Sequence, residues 1–325
     1  MPELTMIEAI NLALKQEMAA DERVYVLGED VGVDGGIFRA TQGLIEEFGE
    51  DRVMDTPLAE SGILGFSIGM AINGLRPVPE MQFSGFAYLG FHQIESHASR
   101  MRWRSQGRFG IPMTVRMPYG GGVRALEHHS ESREAFYAHM PGVKMVVPSG
   151  PRNARSLLVA AIRDPDPVVF FEPKASYRAF REEVPEDEEV AEIGPAQIVQ
   201  EGQDLTIVSW GAMSRRAREA ASQLAEKDVS VELIDLTSLS PLDYPAIAKS
   251  VSRTGRCVVV QEAPLTYGPA AEIAARVGEE AFLHLKAPVA RVAGPDVHMP
   301  YFAREQAYLP DAGRIVQAAE YVRQF

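Results

Sequence analysis

The chain has 325 residues, 46% of them hydrophobic, and a formal net charge of -13 with a pI near 5.1. That is enough apolar material for a large core, and more chain than one domain usually holds. The acidic balance excludes a nucleic-acid binder, which needs a basic stripe, and opposes docking on an anionic membrane. The single cysteine, Cys257, rules out an intrachain disulfide and points to a reducing, cytoplasmic compartment.

Pro2-Glu3-Leu4-Thr5 has neither the basic start nor the apolar core of a signal peptide. Thr5-x-x-Glu8 has the pattern of a capping box, and Met6, Ile7, Ile10, Leu14 and Met18 follow at helical spacing. Val24 to Gly28 reads as a strand ending in a glycine turn. Next comes Thr56-Pro57-Leu58-Ala59-Glu60-Ser61-Gly62-Ile63. Pro57 disfavours helix at Thr56, so a helix over Ile63 to Ile72 begins with Glu60 at its mouth. Beside apolar walls such a carboxyl has an environment-tuned pKa. On local sequence alone Glu60 reads as a helix cap. The run to Leu75 is too short, and too rich in glycine, for a membrane span.

Phe86, Leu89, Ile94, Ala98 and Met101 mark one face of a further helix. Pro112 to Met117, Lys144 to Val147 and Pro167 to Phe171 read as strands, with a helix over Arg152 to Arg163. Strand and helix alternate as in a parallel α/β sheet. The acidic stretch Glu182, Glu183, Glu186, Asp187, Glu188 and Glu189 reads as a solvated connector and marks a domain boundary. A second alternation follows, with strands at Leu205 to Trp210, Val229 to Leu236, Cys257 to Gln261 and Pro288 to Val292. Its helices are Met213 to Glu226, Ala270 to Val277 and a tail bearing Ile315, Ala319 and Val322. Cys257, inside an apolar strand, reads as a small core residue. Neither Gly28-x-x-x-Gly32, Gly35-Gly36 nor Gly120-Gly121-Gly122 makes a dinucleotide fingerprint or a phosphate loop. These glycines read as sharp turns or points of close backbone approach.

Taken in order and spacing, several segments identify a family. They include Gly28-Glu29-Asp30-Val31-Gly32, Asp55 to Gly62, Glu80-x-Gln82-Phe83, Pro118 to Val123, His129-Ser130-Glu131-Ser132, His139-x-Pro141-Gly142, Ala161 to Asp164 and Val260-Gln261-Glu262. The chain resembles the β subunit of thiamin-diphosphate-dependent 2-oxo acid dehydrogenases, of the transketolase-like superfamily. The resemblance implies an α/β fold. A parallel-sheet pyrimidine-binding thiamin domain over residues 1–188 precedes a smaller transketolase C-terminal-like α/β domain over 189–325.

The resemblance places Glu60 on the aminopyrimidine ring of the cofactor, where a partly desolvated carboxyl favours the tautomer that activates it. Phe86 matches the aromatic position packed on that ring, Leu58 an apolar contact, and Glu29 a secondary cofactor position at a strand end. His129 fits the histidine near the substrate and the lipoyl group, with His128 the alternative in a one-residue slip. His139 reads as structural. The segment Ala161 to Asp166 resembles a potassium loop. Met113, Ala161 and Ile162 would offer carbonyls, and Asp164 and Asp166 side chains. Family members often have Asn where Asp166 stands, and an ordinary helix-end turn is the alternative reading.

The chain has Val33-Asp34-Gly35-Gly36 but no G-D-G, the motif by which such enzymes hold the diphosphate through magnesium. The resemblance therefore implies thiamin diphosphate and magnesium shared with a separate α subunit in a heterotetramer of two α and two β chains. It also implies docking on the dihydrolipoyl acyltransferase core, near Phe325. The expected reaction is oxidative decarboxylation of a 2-oxo acid with reductive acylation of lipoyl-lysine. Pyruvate is the first choice, branched-chain 2-oxo acids the second and acetoin cleavage the third. A structural assembly subunit without chemistry is the reading from a different class.

Overall fold

Thr5 begins the first helix as the sequence predicts. Its backbone N–H donates to Glu8 Oε2 at 2.7 Å, and α1 runs Met6–Ala20. The computed structural model describes residues 1–186, 189–301 and 303–325. Asp187 and Glu188 of the acidic connector, and with them the expected boundary after residue 188, lie outside the described residues. The chain forms two units, one of residues 1–119 and 136–193, the other of residues 120–135 and 194–325.

In the first unit, apolar runs become strands β1 Val24–Gly28, β2 Val53–Asp55, β3 Arg76–Glu80, β4 Thr114–Tyr119, β5 Lys144–Val146 and β6 Val168–Pro173. They pair in the order β5-β6-β4-β3-β1-β2, every pairing parallel. Helices α2 Glu60–Ile72 and α3 Pro151–Arg163 belong to the same unit. Met6, Ile10 and Leu14 of α1 share one core with Leu157 and Leu158 of α3 and with Val24, Val26 and Phe170 of the sheet. Burying side chains of this size contributes roughly 1.5–3 kcal/mol each. Arg163 adds an ion pair to Glu17 at 2.8 Å.

The single helix expected from Phe86 to Met101 is instead interrupted. A 3-10 turn, Phe86–Leu89, is followed by Phe91–Gln93, a π turn at Ile94–Ala98 and a last α segment, Ser99–Arg104. Two contacts coincide with the breaks. A Cβ at Gly90 would lie 3.0 Å from Glu60 O and nearer still to the end of the Leu64 side chain, so glycine lets the chain pass close to the start of α2. The Ser99 hydroxyl back-bonds to Glu95 O, which disturbs the helical ladder. Helix α2 starts at Glu60, three residues before the expected Ile63.

The second unit contains β7 Gln197–Gln200, β8 Leu205–Ser209, α4 Ala212–Ala225, β9 Val231–Asp235, α5 Tyr244–Thr254, β10 Cys257–Pro264, α6 Pro269–Glu280, β11 Ala290–Gly294 and α7 Ala312–Val322. Its sheet order is β11-β10-β8-β9-β7, with only β7 antiparallel to its neighbour. Strand β7 and helix α5 are additions to the sequence reading. Cys257 is fully buried in β10, where burial pushes its thiol up to about 12, so a thiolate role is closed to it. Among the described residues no helix is long and apolar enough to cross a membrane.

Candidate active site

Three neighbouring parallel strands end together. Gly28 of β1 sits opposite Asp55 of β2 on one side and Glu80 of β3 on the other. Ligands of α/β sheets sit beyond such carboxyl ends, and the predicted cofactor residues follow directly from them. Glu29 succeeds β1, Leu58 and Glu60 succeed β2, and Phe86 succeeds β3.

Glu60 opens α2, where the helix N-terminus favours its negative charge. It is nevertheless only 4% exposed, and its Oε2 is buried with no hydrogen-bond partner. An unsatisfied buried oxygen costs about 1–3 kcal/mol unless a donor is supplied from elsewhere. Thr56 Oγ1 is likewise buried and unpartnered. Burial, followed by the charges of Glu60 and Asp30, holds the Glu29 carboxyl above the usual range. Glu29 and Glu60 are thus close enough to feel each other. Gln93 ties the interrupted helix to this corner by donating to Ser61 Oγ at 3.1 Å. Phe86 is half-buried, edge-on to Phe83 at 5.3 Å, and Leu58 is exposed.

A charge network absent from the sequence reading lies under these loops. Arg116 of β4 donates twice to Glu172 of β6, at 2.7 and 3.0 Å, and once to Glu80 of β3, at 2.6 Å. Tyr177 OH donates to Glu172 as well. All four side chains are buried. Burial raises the Glu80 pKa while Arg116 opposes the rise. The available signal was a charged residue within or at the end of three strands otherwise poor in charge, Glu80 in RPVPE, Arg116 in TVRMPY and Glu172 in VVFFEP.

The histidine segment belongs to the second unit. His129 is half-buried with its Nδ1 enclosed, whereas His128 is exposed, its ring centroid 6.5 Å from that of His129. Ser130, next in the chain, lines a cavity of about 610 Å³ with Arg133, Thr266, His298, Met299 and Tyr308. Its Oγ is buried without a partner. Nearby Glu134 is fully buried and accepts from Trp210 Nε1 at 3.1 Å. Burial pushes its carboxyl up to about 7 against that hydrogen bond. His139 is exposed.

Comparison with known proteins matches residues 2–180 to the transketolase pyrimidine binding domain and residues 194–315 to the transketolase C-terminal domain. The chain is 49% identical to the pyruvate dehydrogenase E1 component subunit beta of Bacillus subtilis (strain 168), over 100% of both chains. It is 48% identical to the protein of the same name from Acholeplasma laidlawii, over 98% of this chain and 97% of that one. The chain belongs to the pyruvate dehydrogenase E1 beta-subunit family. A solved structure described as a split gene transketolase, inactive beta4 tetramer, shares the fold. Its TM-score is 0.81 at 22% identity, over 99% of each chain.

For this E1 beta family member the cofactor is thiamin diphosphate, and the corner at Glu60 fits its aminopyrimidine half. It offers a buried carboxyl oxygen lacking a donor and a second acid at Glu29. The proposed potassium loop presents a mixed donor set. Met113 O, Ala161 O and Ile162 O accept one hydrogen bond each, from Val168 N, Asp164 N and Arg76 Nη1. Each carbonyl therefore keeps a lone pair. The carboxylates are already matched, Asp164 by Lys144 at 2.6 Å and Asp166 by Arg102. Among the described residues no group of three or more His, Cys, Asp or Glu is placed to hold a metal ion.

Proposed function

We propose that this chain supplies the aminopyrimidine half of a split thiamin-diphosphate site in a pyruvate-decarboxylating, lipoyl-acylating enzyme. An α subunit would supply the diphosphate and magnesium half. The observation that carries the reading is the buried, unpartnered Glu60 Oε2 at the carboxyl ends of β1, β2 and β3. When bound, the cofactor supplies the electron sink that lets a 2-oxo acid lose carbon dioxide. Glu60 would hold the aminopyrimidine through its buried, unpartnered carboxyl oxygen and exchange a proton with it. Glu29 adds a second carboxyl with a raised pKa, and Phe86 offers a ring face for stacking. His129 donates and accepts hydrogen bonds during acyl transfer to the lipoyl group, a task suited to imidazole near neutral pH. The 49% identity to a pyruvate dehydrogenase chain supports pyruvate as the substrate.

The partner has support in helix α2. Its sequence ESGILGFSIGMAI is apolar on nearly every side, yet Phe66 is 60% exposed and Gly69 faces open space. A helix apolar all round belongs inside a core or an interface. Assembly as two α and two β chains, with the acyltransferase core docked near Phe325, completes the proposal. The deciding experiment is calorimetric binding of thiamin diphosphate with magnesium, to this chain alone and to its mixture with the α chain. Tight binding only in the mixture is expected. Equal binding by the isolated chain would overturn the split site.

A further inference from the structure

Gly120-Gly121-Gly122 exposes backbone N–H groups in the manner of an anion-binding nest, with φ of +82° at Gly120 and +91° at Gly122. Carboxylates of the same unit occupy it. Glu262, on β10, accepts from Gly121 N at 2.5 Å and from Ser132 Oγ at 2.9 Å. Glu305 accepts from Gly122 N at 2.7 Å and from Arg124 N at 2.9 Å. Both are buried. A Cβ at Gly120 would lie 2.7 Å from Glu262 Oε1, and one at Gly121 would lie 3.0 Å from Glu305 Oε1. The run of glycines is therefore the space the two acids fill. Gly120 N also donates to Glu131 O at 3.0 Å, joining the two ends of the segment.

The segment from Gly120 to Ser132 is thus gripped at its start by both acids and at its end by Glu262. His129 lies within the span. A turn from Ser130 N to Glu127 O, at 3.1 Å, sets its local direction. Charge-assisted hydrogen bonds of this kind are about twice as strong as neutral ones, and away from water nothing replaces them. We propose that Glu262 and Glu305 are positioning residues that hold the His129 segment for acyl transfer, a role that rests on the reading of His129 given above. The same contacts make the glycine run unavailable to a phosphate.

The test uses the chain assembled with its α partner and compares Glu305→Ala, Glu305→Gln and His129→Ala. Amide exchange over residues 120–132, reductive acylation of lipoamide and dye-linked decarboxylation are measured in each. In Glu305→Ala, exchange at Gly122 and Arg124 is expected to quicken about tenfold or more, the loss of one or more charged hydrogen bonds. Reductive acylation falls about tenfold relative to dye-linked decarboxylation, and Glu305→Gln, which keeps an acceptor oxygen, lies between parent and Ala. A folded Glu305→Ala with parental exchange or parental acylation overturns the proposal. Should that variant not fold, parental exchange in Glu305→Gln does the same. If His129→Ala acylates at the parental rate while Glu305→Ala loosens the segment, the histidine reading fails and takes the positioning role with it. If His129→Ala is inactive and Glu305→Ala is not impaired, only the positioning role fails.

Discussion

Glu60 joins two properties that seldom coexist in a helix-capping acid, a favourable place at a helix N-terminus and a carboxyl oxygen without a donor. A cap alone would turn that oxygen toward backbone N–H groups or water. Glu60→Gln should therefore preserve the fold while lowering decarboxylation by about 10²- to 10⁴-fold, the usual contribution of a positioned acid–base group. Carbon dioxide release together with thermal unfolding checks this, and near-parental turnover would return Glu60 to a capping role. Glu134 offers a residue-scale prediction of a different kind. Its carboxyl titrates near 7 when folded, against an ordinary 4.5. Below the ordinary value it is protonated whether the chain is folded or unfolded. As pH rises from about 4.5 to 7 the unfolded chain releases the proton and the folded chain keeps it, so its contribution to stability falls by up to ~1.4 kcal/mol per pH unit and is gone above 7. Glu134→Gln should gain stability relative to the parent as pH rises from 5 to 8. A constant difference in Tm across that range would refute the assignment.

At the scale of elements, the strand ends decide where chemistry sits. Most strands and helices were legible from apolar runs and periodicity, because a parallel sheet covered by helices demands continuous hydrophobic strands. The Phe86–Arg104 region was not legible as it stands, since Gly90 lies against Glu60, distant in sequence, and the spacing of apolar residues does not distinguish a π turn from a regular helix. The proposed potassium loop also belongs to this scale. Carbonyls of Met113, Ala161 and Ile162 retain acceptor capacity, while Lys144 and Arg102 already balance Asp164 and Asp166. The ion would therefore be held by carbonyl oxygens, which suit a large, weakly hydrated cation. Exchanging sodium for potassium at constant ionic strength should raise the Tm by a few degrees, equivalent to about 1 kcal/mol of linked binding. Identical melting in both salts would leave an ordinary helix-end turn.

For the whole molecule, α2 carries an apolar face that its own unit leaves uncovered at Phe66. Gly62, Phe66 and Gly69 follow one another at spacings of four and three residues, which places them along one helix face. Small residues beside an exposed ring permit close approach by another helix. Phe66→Glu, which touches little of the first unit's own core, should leave the chain folded and weaken assembly with the α subunit by about tenfold or more, as expected for burying an unpaired charge. Sedimentation of the mixture gives the result, and undiminished assembly would move the interface elsewhere.

The sequence by itself determined the family, the alternation of strands and helices, and the identity of Glu60 and His129 as candidates. Ordered motifs and hydrophobic periodicity are local properties, readable without coordinates. Tertiary structure alone decided which charges meet. Arg116 finds Glu80 and Glu172 only because β4 lies between β3 and β6. Glu262 and Glu305 reach Gly121 and Gly122 across more than 140 residues of chain. Such pairings leave only a trace in sequence, a charged residue within an apolar run, because burying a charge is costly until the folded chain brings its partner.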